Sequence, residues 1–218
     1  LENGDRLTRV EFERRYNAHP AIKKAELIEG VVYVPSPVRV QRHGEPHSHS
    51  IIWLGTYCAA TPGIRISDNS SLRLDLDNMP QPDVCLWIDQ GYGGRAYITE
   101  DDYLVGAPEL IVEIAASSAS YDLYDKRNAY RRNGVLEYLV LLTTEQRTIW
   151  ERWHEGQYIE IQPAANGILR STVFPGLWFD PTRFWAGDLA GLLAVVQQGL
   201  NTPVHAEFVQ RLSIAGRS

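Results

Sequence analysis

The chain has 218 residues, 44% of them hydrophobic, and a formal net charge of −6. That length suits one domain, and the composition suits a globular protein with a buried core. No stretch reaches the roughly 18 apolar residues needed to cross a bilayer, and the acidic balance argues against tight non-specific binding to nucleic acid, though not against an enzyme whose carboxylates hold metal ions, since those ions bring positive charge.

The opening, LENGDRLTRVEFERRY, has no apolar stretch and does not read as a secretory signal. LTRVEFERRYNAHP predicts a short helix, with Thr8 as its cap, Glu11 completing a capping box and Pro20 past its end. KAELIEGVVYVPSP predicts a hairpin with its turn at Glu29-Gly30 and two prolines closing the second strand. Residues 39–46 are polar and without period, and read as loop. HSHSIIWLGTYCAAT predicts a helix with Ile51, Leu54, Tyr57 and Cys58 on one side and Gly63 beyond its end.

The middle of the chain is strand-rich. IRISDNSSLRLDLDN alternates, with Leu72, Leu74 and Leu76 facing one way and Arg73, Asp75 and Asp77 the other. DVCLWI is apolar nearly throughout, as a strand covered on both faces would be. After a Gly-rich loop, DQGYGGRAYITEDD, come a strand, ELIVEIA, a helix, SYDLYDKRNAYRRNG, ended by Gly134, and a strand, LEYLVLL. That order predicts a right-handed crossover and a parallel pair. RTIWERWHEGQYIEIQ predicts a hairpin turning at Glu155-Gly156. Beyond FPGLWFDPTRF, an amphipathic helix is expected in AGDLAGLLAVVQQGL, and a further short one from Pro203 to Leu212. Cys58 and Cys85, each in an apolar segment, read as buried free thiols, which suits a reducing, cytoplasmic compartment.

Two charges interrupt these apolar runs. Asp83 opens DVCLWI, and Glu113 lies inside LIVEIA with its side chain on the face opposite Val112 and Ile114. An unpaired carboxylate in an apolar interior is costly, so each needs a reason. One set of reasons is structural: Asp83 caps a turn, Glu113 pairs with a buried Arg, and Lys126 belongs to a solvated basic face with Arg127, Arg131 and Arg132. The other is chemical. If the two strands are neighbours, their carboxylates converge and offer the hard oxygen ligands that suit Mg²⁺ or Mn²⁺. Lys126, on the following helix, then orients water and stabilises charge on a phosphate. Spacing alone leaves both open. His47 and His49 stand two apart on a helix, so they diverge rather than share a metal. Tyr130, four residues after Lys126, shares its helix face and reads as packing first and site lining second.

ELIEG, PSP and a His, QPD, GAPELIVEIAASS, D…K…Y, NGVLEYLVL and FPGL occur here in one order. That series, spanning roughly residues 7 to 185, resembles the Uma-two family of restriction endonucleases, a branch of the PD-(D/E)XK nuclease superfamily. The resemblance implies a restriction-endonuclease-like α/β fold, a mixed central sheet flanked by helices. Residues 7–185 would form the nuclease domain and 186–218 a C-terminal helical extension. It implies metal binding by Asp83 and Glu113, with Glu29 of ELIEG as the additional acid. Lys126 would be the catalytic lysine and His47 the family's recurring histidine near the site, with Tyr130 beside it. The parent superfamily carries its lysine two residues after the second acid; here that position is Ala115, and Lys126 matches the Uma-two pattern. EIAASSAS also lacks the proline that often follows the second acid in the family. The implied activity is Mg²⁺- or Mn²⁺-dependent hydrolysis of DNA phosphodiesters, without membrane association. Two alternatives stand beside it: a catalytically inactive nuclease-fold binding module, and an assembly role for the C-terminal helices, with a homodimer or larger homo-oligomer as the product.

Overall fold

The computed structural model describes residues 1–34, 39–116 and 119–216. In chain order the elements begin with helix α1 (Arg9–Asn17), strands β1 (Glu26–Ile28) and β2 (Val31–Tyr33), and helix α2 (Glu45–Ala60). Strands β3 (Ile64–Asp68), β4 (Leu72–Arg73), β5 (Val84–Ile88), β6 (Tyr97–Ile98), β7 (Leu104–Val105) and β8 (Leu110–Ala115) follow. Next come helices α3 (Ala119–Tyr121) and α4 (Arg127–Arg132), strands β9 (Glu137–Leu142), β10 (Arg147–His154), β11 (Gln157–Glu160), β12 (Leu169–Arg170) and β13 (Trp178–Phe179), and helices α5 (Pro181–Trp185), α6 (Leu189–Leu200) and α7 (Pro203–Ala215).

A six-stranded sheet in the order β11-β10-β9-β8-β5-β3 forms the centre. β8 and β9 are parallel, as the strand–helix–strand order predicts, and the other pairings are antiparallel, so the sheet is mixed. Its inner strands are apolar on both sides because both sides are covered. Val84, Leu86, Leu110, Val112 and Ile114 point into a core with Trp53, Leu54 and Tyr57 of α2. Cys85, Trp87, Ile111 and Ala115 point the other way, into a core with Tyr130 of α4 and Tyr138 of β9. The helices after Trp185 are not separate from this body, since Leu192, Val196, Phe208 and Leu212 share the α2 core. Among the described residues no helix is long and apolar enough to cross a membrane.

Helix α1 starts where its cap predicts: the Thr8 hydroxyl oxygen accepts from the Glu11 amide. The Glu11 carboxylate does not close the box; it pairs with Arg14 and Arg15 instead. Helix α1 packs on the β1–β2 hairpin through a small core of Phe12, Leu27, Val32 and Met79. The hairpin turns at Glu29 and Gly30, whose φ values of 53° and 72° are the left-handed pair that a tight two-residue turn demands. Cys58 and Cys85 are free thiols, Cys85 fully buried.

Three local expectations change. The segment 39–46 is not loop: it winds through a wide π-type turn, Val40–Gly44, directly into α2, with Pro46 near the helix start, where its missing N–H costs nothing. The alternation of Leu72, Leu74 and Leu76 stops early. Leu76 is exposed, because Asp75 accepts from the Asp77 amide and the Asn78 side chain and turns the chain there. The last helix runs to Ala215 rather than Leu212. Pro35 and Pro37, expected to close the second hairpin strand, and Ser117 and Ser118 of EIAASSAS lie outside the described residues.

Candidate active site

Strands β5 and β8 pair antiparallel with Val84 opposite Val112, so Asp83 and Glu113 stand opposite each other one step further along. Facing residues in a ladder point to the same side. The two acids therefore meet on one face of the sheet, the face covered by α4. Asp83 ends the ladder with its own side chain: its Oδ2 accepts from the Ile114 amide at 2.8 Å.

Lys126 comes in from above. The helix after β8 passes through a second wide π-type turn, Asp122–Lys126, before continuing as α4. Such turns are rare and recur at functional sites. This one directs Lys126 inward, so that it is only 4% exposed and not part of a solvated face. Its Nζ lies 3.0 Å from Glu26 Oε1, 3.1 Å from Glu113 Oε1 and 3.6 Å from Asp122 Oδ1. Tyr130, one helical turn on, donates its hydroxyl to Glu113 Oε1 at 2.8 Å.

Asp83 is bracketed from the other side. The wide turn before α2 brings His43 Nε2 to within 3.2 Å of Asp83 Oδ1. His47, a turn later, donates from Nε2 to the Asp83 carbonyl at 3.0 Å and lies equally close to Asp68. Lys24 Nζ stands 3.6 Å from Asp83 Oδ1. His49 diverges as expected and lies against Phe184.

Electrostatics follow from this crowding. Burial, reinforced by the neighbouring charges of Asp122, Asp83 and Glu26, works to raise the Glu113 carboxyl above the usual carboxylate range, and the Lys126 ammonium opposes it. Burial also works against the Lys126 ammonium, but Glu113, Glu26 and Asp122 outweigh it and hold Lys126 well above the usual lysine range. Asp83 goes the other way. Burial would raise it, yet the His43 hydrogen bond and the charge of Lys24 keep it below the ordinary carboxylate range.

The structure thus brings together Asp83, Glu113, Lys126, Tyr130 and His47. It does not bring Glu29. That residue sits at the hairpin tip with its carboxylate on Arg132, and its amide donates to Asn78 Oδ1. Glu26, three residues earlier and 4% exposed, stands in the cluster, where its Oε1 also accepts from the Gln81 amide. Glu29 lies in the hairpin turn and Glu26 within its first strand, which is what separates them in the fold. Glu26, Asp122, His43 and Lys24 were not singled out in the sequence. The i, i+4 spacings of Asp122 with Lys126 and of His43 with His47 were legible signals for two of them.

The donor chemistry fits a small divalent cation. Asp83, Glu113 and Glu26 are hard oxygen donors, and the cluster sets Glu26, Glu113 and Asp122 around the Lys126 ammonium and Asp83 beside Lys24, so that the acids outnumber the ammonium groups and a cation would offset the difference. Among the described residues no three His, Cys, Asp or Glu side chains close into a metal cage. Mg²⁺ does not need one, since it usually takes one or two carboxylates and fills its shell with waters and phosphate oxygens.

Comparison with known proteins gives a family and a fold. The sequence model of the Uma2 family, described as "Putative restriction endonuclease", matches residues 9–182. No curated protein matches the chain. Among solved structures the chain resembles that of "a putative nuclease belonging to DUF820 from Anabaena variabilis". The two share a TM-score of 0.55 and 14% identity, over 74% of this chain and 89% of the other. At that identity the likeness speaks to the fold alone.

Proposed function

The chain belongs to the Uma2 family, and from that premise we propose that it is a metal-dependent nuclease hydrolysing phosphodiester bonds of DNA. One observation carries the reading: Asp83 and Glu113 occupy facing positions on paired strands, with the Lys126 ammonium on Glu113.

Hydrolysis joins a water oxygen to phosphorus and breaks the bond to one ester oxygen; the water gives up a proton and the departing oxygen takes one. Asp83 and Glu113 would hold Mg²⁺ or Mn²⁺, with Glu26 beside them on Lys126, and the ion when bound supplies Lewis acidity to the phosphate and lowers the pKa of water. Lys126, held above the usual lysine range, keeps its proton at neutral pH. It therefore acts as donor and positive charge, orienting water and stabilising the phosphate oxygens as negative charge builds, and not as a base. His43 and His47 fix Asp83 in place, and the Tyr130 hydroxyl fixes Glu113.

The test is incubation of clean protein with double- and single-stranded DNA in Mn²⁺, in Mg²⁺ and in EDTA. Metal-dependent cutting is expected, falling about 10²–10³-fold in Asp83→Ala and in Lys126→Ala. Intact DNA, or cutting that survives both substitutions, refutes the proposal. One observation favours a second reading, a nuclease scaffold that binds without hydrolysis: Glu26, Asp83, Glu113, Asp122 and Lys126 are all buried, and Lys126 is engaged by three acids. DNA binding without cleavage at any metal concentration would select it.

A further inference from the structure

Buried polar side chains are normally hydrogen-bonded, and an exception calls for an explanation. The other tyrosines with buried hydroxyls obey the rule. Tyr57 donates to the Pro175 carbonyl, Tyr130 to Glu113, Tyr138 to the Asp122 carbonyl and Tyr158 to the Val135 carbonyl. Tyr121 does not. Its hydroxyl oxygen is shielded from solvent, yet it has no hydrogen-bond partner among the described residues.

Its position makes the exception informative. Tyr121 ends α3, immediately before the turn that delivers Lys126. Its ring centroid lies 5.4 Å from Lys126 Nζ and 4.1 Å from that of Tyr33 of β2, the two tyrosine rings tilted by 38°. On the acids nearby, Glu26 Oε1 accepts from the Gln81 amide and from Lys126, and Glu113 Oε1 from Lys126 and Tyr130. A phenylalanine would keep the ring contact with Tyr33 and avoid burying an idle donor.

We propose that Tyr121 is a substrate-binding residue of the candidate active site, its hydroxyl donating to an anionic phosphate oxygen that Lys126 also faces. This rests on the nuclease reading for the identity of the ligand. The phenol lies beside the Lys126 ammonium, and an oxygen bearing formal charge is the partner that repays an unmade bond most strongly. No bond is made or broken by Tyr121. Its contribution is to binding and to stabilising charge as the phosphate reacts.

The experiment compares wild-type protein with Tyr121→Phe in two measurements. Affinity for a fluorescent DNA duplex is read by anisotropy in Ca²⁺, and thermal stability is read without DNA. Losing one hydrogen bond to a charged group is expected to weaken binding about ten- to a hundred-fold, while the melting temperature stays equal or rises, because the removed hydroxyl had no partner. Equal affinities overturn the proposal. So does a lower melting temperature accompanied by weaker binding, which marks a packing role. Protein that binds DNA, loses affinity in Tyr121→Phe and never cleaves supports the proposal while removing the hydrolytic reading. Cleavage by wild type with unchanged binding by the variant does the reverse. Wild type that neither binds nor cleaves overturns both.

Discussion

Replacing Lys126 by methionine keeps the length of the side chain and removes its charge. In the folded protein that ammonium is the counter-charge for Glu26, Glu113 and Asp122, at 3.0, 3.1 and 3.6 Å. Removing one member of a buried ion pair leaves the others uncompensated, a loss of about 3–5 kcal/mol. For a domain of this size each kcal/mol shifts the melting temperature by roughly 2–4 °C, so Lys126→Met should melt about 6–20 °C below wild type in metal-free buffer. Much of that loss is the penalty of stranded charge rather than of lost packing. The double variant Lys126→Met/Glu113→Gln should therefore recover a substantial part, because the glutamine has no charge to strand. The assay is differential scanning fluorimetry of the four proteins of the cycle at one pH. A Lys126→Met variant as stable as wild type, or a double variant showing only the sum of the two single losses, would refute the claim that Lys126 neutralises a buried acidic cluster.

Glu26→Gln should reduce metal-dependent DNA cutting at least about tenfold, whereas Glu29→Gln should leave it unchanged; cleavage assays on the two proteins separate the inner acid from the one in the turn. Glu137, buried at the start of β9, accepts from the Ser171 and Thr172 hydroxyls and from the Thr172 and Val173 amides. Glu137→Ala strands those donors and should cost about 2–5 kcal/mol, measured by urea unfolding, with Glu137→Gln costing less. Burial, opposed by the Leu200 carbonyl contact, lowers the pKa of His205, which also faces Thr61 and the Tyr57 ring. A depressed folded value gives stability that is present above the unfolded value of 6.5 and lost as pH falls. The melting temperature should therefore fall more steeply from pH 7.5 to 5 in wild type than in His205→Gln; equal slopes would remove His205 as the cause.

Much of the frame was legible because its signals are local. Apolar runs marked β5, β8 and β9, a Thr cap marked α1, and the Glu-Gly pairs at 29–30 and 155–156 marked both hairpins, with positive φ at all four residues. Asp83, Glu113 and Lys126 were visible because charge is conspicuous within or just after apolar strands. Glu26 was not, since three buried residues, Glu26, Leu27 and Ile28, are too short a strand to show alternation. Its inward direction is set by Leu27 pairing with Met79, a partner 52 positions away, which no spacing rule reveals. His43 was hidden differently: it lies in a wide turn whose polar residues imitate a loop.

Those two wide turns have a consequence for how this fold tolerates change. The one at 122–126 lies within a helical path and the one at 40–44 opens one, and a change of one residue in either rotates one side against the other by about 100°. Deleting a single residue from 40–44 or from 122–126 could leave a tidier helix and an intact sheet, yet His43 or Lys126 would swing out of reach of its acid. In this protein a one-codon gap is a more dangerous lesion than most substitutions, and sequences aligned to it should be read for gaps at those two places before they are read for matching letters.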